Sequence, residues 1–123
     1  MRWTLFVAAI AGAAAVVLGA FGAHALRGVF DASALGTWQT AVDYQFRHAL
    51  ALLAVGLLAP ARVTRALHVA AWAFAVGIVL FCGSLYALAA GAPHGVGAIT
   101  PLGGAAFITG WNALACAVLP RRT

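Results

Sequence analysis

Glutamate and lysine are both missing from this 123-residue chain, and Asp31 and Asp43 are its only acidic side chains. Charged residues make up 7% of the total, against roughly 25% in a soluble domain. A chain with so little charge and so much apolar surface cannot hide that surface in a water-soluble fold of this length. The scarcity also bounds the chemistry. Glutamate is absent, there is no Ser–His–Asp spacing, no metal-ligand cluster, and no glycine-rich phosphate loop between a strand and a helix. Neither enzymatic activity nor a bound metal or cofactor is expected. Cysteine is scarce as well. Cys82 and Cys116 fall at roughly 24 and 6 Å from the same end of the bundle at 1.5 Å per helical residue, too far apart for a disulfide.

What remains is apolar. Hydrophobic residues make up 65% of the chain, and the mean hydropathy is +1.03, so the sequence reads as an integral membrane protein with the lipid bilayer as its solvent. Seven arginines give a net charge of +5. They stand at the ends of apolar runs and form no basic stripe, so nucleic acid is not an expected partner.

The apolar runs predict an all-α, antiparallel four-helix transmembrane bundle in a single domain, with spans over about 3–25, 38–59, 66–90 and 101–119. The first run competes with a signal-peptide reading, since Ala23-His24-Ala25 resembles a cleavage site. Its stretch from Leu5 to Ala23 nevertheless exceeds the usual signal core of about 7 to 15 residues, and it is read as a span. Ala8, Gly12, Ala15, Gly19 and Gly22 recur at steps of four and three, as do Gly103, Ala106, Gly110, Ala113 and Ala117 in the last span. Such seams let helix backbones approach closely where lipid supplies no hydrophobic drive. Ser33 or Thr37 is expected to cap the second helix, and Thr100-Pro101 to open the fourth. With four spans, Arg2, Arg62, Arg65, Arg121 and Arg122 share one side and Arg27 alone faces the other, which places both termini in the cytoplasm. Trp3 and Trp38 then fall near opposite interfaces.

The second span is the unusual one, because it places ionisable groups where lipid should be. Thr40, Asp43, Tyr44 and Arg47 share a face by their i, i+3, i+4, i+7 spacing. Asp43 and Arg47, at i and i+4, are expected to neutralise each other as an ion pair. By depth, His48, Thr109 and Asn112 fall roughly 12–16 Å from the cytoplasmic ends and are expected to meet inside the bundle. Asp43, Tyr44, Gln45, Arg47, His48 and Asn112 thus form the candidate ligand or proton site. His24, Ser84, Tyr86 and Thr100 form a second polar cluster at the outer end, giving a shallow vestibule that opens outward. His24 and His48 differ in depth by roughly 10 to 15 Å, which excludes them as a haem-ligating pair.

Several ordered motifs carry a resemblance across nearly the whole chain. Gly19-Ala-Phe-Gly-Ala-His24-Ala-Leu, Trp38-Gln-Thr-Ala-Val-Asp-Tyr-Gln-Phe-Arg-His48-Ala-Leu, Leu80-Phe-Cys-Gly-Ser84-Leu-Tyr86, Thr100-Pro-Leu-Gly-Gly104 and Gly110-Trp111 resemble the YgdD-like proteins, domain-of-unknown-function family 423. Cys82 stands where a serine-like residue would be expected. The resemblance implies a small multi-pass protein of the bacterial inner membrane with about four spans, and it implies no activity. Two functional readings stay open. One is a structural or accessory protein that packs against a membrane partner or itself through its small-residue seams. The other is a small-molecule or proton-handling protein using the polar face of the second span, since intramembrane ionisable groups are functional candidates.

Overall fold

The computed structural model describes residues 1–120; Arg121 and Arg122, counted above for orientation, lie outside the described residues. The chain is all-α, built as four antiparallel rods. α1 is Arg2–His24 and α2 is Ala32–Leu58. The third rod joins α3 (Arg65–Gly77), a π-helical turn (Ile78–Cys82) and α4 (Gly83–Ala89) end to end. A 3-10 turn, His94–Ala98, feeds α5, Ile99–Val118.

Local chemistry sets the ends of these rods. Asp31 caps α2, its carboxylate accepting the Ala34 N–H at 2.8 Å. The helix therefore begins at Ala32, ahead of Trp38, and neither Ser33 nor Thr37 caps it; the Thr37 hydroxyl donates to the Ser33 carbonyl instead. Thr64 caps α3 by accepting from Leu67 N–H at 3.1 Å. The third rod ends at Gly91, the one residue with positive φ among those described (100°), where the Ala92 N–H reaches back to the Ala87 carbonyl at 2.9 Å. That left-handed residue with its six-to-one bond is the helix stop that glycine favours. Thr100 is not the cap of α5, because the helix is already running at Ile99 out of the 3-10 turn.

Close packing rests on small residues, though not all of those expected. In the α1–α2 pair Gly22 faces Trp38 and Gly56 faces Thr4 and Leu5; a methyl group on Gly22 would lie 2.6 Å from the Trp38 ring. The buried stripe of α1 is Thr4, Ala8, Ala11, Ala15 and Gly22. Gly12 is off that stripe, with nothing within 4 Å of where its Cβ would be. The third rod and α5 interlock large into small: Phe74 covers Gly110, Phe107 covers Gly77, and the Phe81 backbone lies against Gly103. Phe107, not Ala106, occupies the buried rung of α5. The π turn sits at the Phe81–Gly103 contact. Its extra residue turns consecutive side chains, Phe81 and Cys82, toward the core.

Three rods, Arg2–His24, Arg65–Ala89 and His94–Val118, are long and apolar enough to cross a membrane. α2 has the length, with 27 residues, but its first half is polar. α1 packs along one side of α2, the third rod along another, and Trp111 of α5 reaches its His48.

Candidate functional site

The polar residues of α2 separate into two directions. Gln45 and His48 are buried and Tyr44 half-buried, whereas Arg47 is exposed and Asp43 lies at the rim.

Gln45 joins three rods. Its amide N–H donates to the Ala11 carbonyl of α1 at 2.9 Å, and its amide oxygen accepts from the Tyr86 hydroxyl at 2.7 Å. Seven residues earlier on α2, and seven later on α1, the Trp38 indole N–H donates to the Leu18 carbonyl at 2.9 Å. Two side chains two turns apart thus fasten α2 to the backbone of its antiparallel neighbour. Trp38 also meets the Tyr86 ring edge-on, with centroids 4.7 Å apart. This indole is an internal strut as much as an interfacial anchor.

His48 sits in a box of aromatic rings. Phe107 stacks on it, centroids 3.6 Å apart and planes 11° apart, with Phe74, Tyr44 and Trp111 about it at 5.8–6.0 Å. Its Nδ1 lies 2.7 Å from the Tyr44 carbonyl and its Nε2 3.1 Å from the Trp111 indole nitrogen. A carbonyl only accepts and an indole N–H only donates, so Nδ1 carries the proton and Nε2 is the acceptor. Both ring nitrogens are therefore engaged. The arrangement is a neutral, fully bonded histidine, with no free lone pair to offer a ligand.

The expected Asp43–Arg47 ion pair is not formed. Asp43 accepts from the Gln39 side chain at 2.8 Å, and the Arg47 guanidinium lies over the Tyr44 ring, 5.7 Å from its centroid. Helical spacing allows such a pair but does not require it, and here each group has a nearer neighbour. Asn112 and Thr109 do not meet His48 either. Both are exposed and are satisfied by their own helix, Asn112 donating to Ile108 and Thr109 to Ala105. At the outer end Ser84 and Thr100 share a hydrogen bond of 2.6 Å, and Ser84 also donates to the Phe81 carbonyl beside the π turn. Tyr86 turns inward to Gln45, and His24 is exposed at the end of α1, so the four outer residues form no single cluster. Polar atoms are used up in pairs instead of lining a common vestibule. Cys82 is buried, Cys116 is exposed, and both are free. Among the described residues no three His, Cys, Asp or Glu side chains gather as a metal site.

Residues 18–104 match the profile described as a protein of unknown function, DUF423. The chain belongs to this family. Similar proteins include UPF0382 membrane protein YwdK of Bacillus subtilis, 45% identical and covering 90% of this chain and 91% of that one. UPF0382 membrane protein SERP0230 of Staphylococcus epidermidis is 41% identical over 97% of both chains. UPF0382 inner membrane protein YgdD of Escherichia coli is 40% identical over 89% of this chain and 84% of its own. No solved structure matches. This is a membrane protein of a family without an assigned activity. The DUF423 match spans Trp38, Asp43, Gln45, Arg47, His48 and Tyr86, while Ala11 and Trp111, which complete their bonds, lie outside it.

Besides the Trp38 strut, three contacts escaped the sequence reading. The Gln45 bridge and the Trp111–His48 bond join residues 34 to 63 positions apart, and no local spacing announces such contacts. The third is Arg62, read above only as a topology charge. Its guanidinium donates to the Ala117 and Leu119 carbonyls, both at 3.2 Å, and so caps the C-terminal end of α5. A basic hairpin beside a helix end was the available signal.

Proposed function

We propose that this chain is a non-catalytic structural or accessory protein of the bacterial inner membrane, presenting a rigid four-span bundle to other membrane components. The observation that carries this reading is the saturation of the interior. Gln45, Tyr86, Trp38, His48 and Trp111 bond one another or backbone carbonyls, and aromatic rings fill the space around His48. A proton or solute path needs polar groups that exchange partners with water or substrate, and these have partners within the bundle. α2 is taken as the fourth span, since it is as long as the rods beside it and packed among them. Both termini are placed in the cytoplasm by the arginine distribution. The inner-membrane assignment draws on the name of the Escherichia coli relative.

Reconstitution tests the function. Vesicles containing the protein and a luminal pH dye should leak protons no faster than protein-free vesicles. A flux abolished by His48→Gln in a variant of unchanged stability would establish the proton-handling alternative. Placement is tested with single cysteines at Ala61 and Gly95 in a Cys82→Ser, Cys116→Ser background. Ala61 should label from the cytoplasm and Gly95 from outside; labelling from one side would end the four-span placement.

A further inference from the structure

The outward face of α2 is charged. Arg47, Gln39 and Thr40 are exposed and Asp43 is half-buried. With Ala15, Gly19 and Ala20 of α1, the Asp43–Arg47 face borders a cleft of about 350 Å³. The depth of this cleft follows from the helix beside it. Its lining on α1, from Ala15 to Ala20, lies roughly 6 to 14 Å from the outer end of that helix at 1.5 Å per residue. Given the four-span placement proposed above, on which this inference rests, a guanidinium without a carboxylate partner among the described residues faces the outer half of the hydrocarbon. A charge there is costly, and such groups face a protein neighbour or water rather than lipid.

We propose that a second copy of this chain covers this face, the two α2 helices running parallel about a twofold axis along the membrane normal. Arg47 of each copy pairs with Asp43 of the other. Three observations select this occupant. The face carries one acid and one base, so its charges are self-complementary, as an isologous interface requires. In parallel copies equal residues stand at equal height, and the Arg47 side chain leans back toward the helix N-terminus, its guanidinium over Tyr44. It therefore arrives at the level of Asp43 on the second copy. Finally, Ala15, Gly19 and Ala20 make the flank of the face shallow, which allows close helix approach. An anionic lipid is disfavoured, because its phosphate belongs at the headgroup level and Asp43 would repel it.

The test uses the full chain in native membranes, with Cys82 and Cys116 replaced by serine. Phe46, exposed beside Asp43 on the wall of the same cleft, is the site for cross-linking. Phe46→Cys should give a disulfide dimer, while Val79→Cys and Ile108→Cys, exposed on the third rod and α5, should give less than about a tenth as much. No dimer at position 46, or equal yields at all three, overturns the proposal. Charge exchange then asks whether the pair crosses between chains. Asp43→Arg and Arg47→Asp, each added to the Phe46→Cys chain, should separately lose the cross-link about tenfold. Co-expressed with different tags, they should regain it as a heterodimer, because one chain then carries two bases and the other two acids. Folded variants that do not complement contradict the proposal. Should either fail to accumulate, the Phe46→Cys result with native charges decides. Failure of the placement itself is visible separately, in the labelling of Ala61 and Gly95.

Discussion

Gln45 and His48 differ from Asp43 and Arg47 by a rotation of about 100–200° around the same two turns of α2, yet they meet opposite fates. The inward pair is neutral, buried and bonded within the chain: Gln45 to Ala11 and Tyr86, His48 to Tyr44 and Trp111. The outward pair is charged, and the described residues give it only a neutral amide and an aromatic face. The contrast shows that polarity in a membrane helix has no single meaning. Uncharged groups that saturate one another hold the bundle together without water. A charge that the described residues leave without a counter-ion is where a contact beyond the chain is to be sought.

The contrast can be broken or sharpened by substitution, beginning inside. Gly103→Leu should have the largest effect, since any Cβ there meets the Phe81 backbone, which cannot swing aside as a side-chain tip can. A loss of about 3 kcal/mol or more is expected in a reversible unfolding titration in detergent. His48→Ala should cost about 2–3 kcal/mol, from the cavity beside Phe107 and the unpaired Trp111 indole. Arg62→Ala, which uncaps α5, should cost about 1 kcal/mol and increase hydrogen exchange in the last turn of that helix. Gly12→Leu should fall within about 0.5 kcal/mol of the parent, because nothing lies near its Cβ. A large loss at Gly12 with none at Gly103 would place the packing faces opposite to those described.

The all-α membrane class was legible in composition, and the rods follow the apolar runs closely. The start of α2 was missed because a span was sought from Trp38, whereas the helix begins at the Asp31 cap. The contact rung within each seam was harder to read. α1 has alanine or glycine at nearly every position from Ala8 to Ala15, so Ala11 and Gly12 compete equally well for the buried stripe until the partner is known. In α5 the rung is held by Phe107 because Gly77 on the third rod receives it, a complementarity that lies in the other helix. The polar face failed for a related reason. Spacing places Asp43, Tyr44 and Arg47 on one arc but does not say which edge of the arc points inward, and the inward edge proved to be Tyr44, Gln45 and His48. Trp38 and Trp111 were the overlooked partners, since an indole N–H near the end of a span is as able to donate within the bundle as to a headgroup.

The most direct test compares the two faces of α2 within one experiment, the unfolding free energy of Gln45→Leu and of Arg47→Gln in purified monomer in detergent. Gln45→Leu breaks two interhelical hydrogen bonds and should lower stability by about 1–2 kcal/mol, while Arg47→Gln should stay within about 0.5 kcal/mol of the parent. An Arg47→Gln monomer destabilised as much as Gln45→Leu, or a Gln45→Leu monomer as stable as the parent, would contradict the division between an inward face that holds the fold and an outward face that acts beyond it.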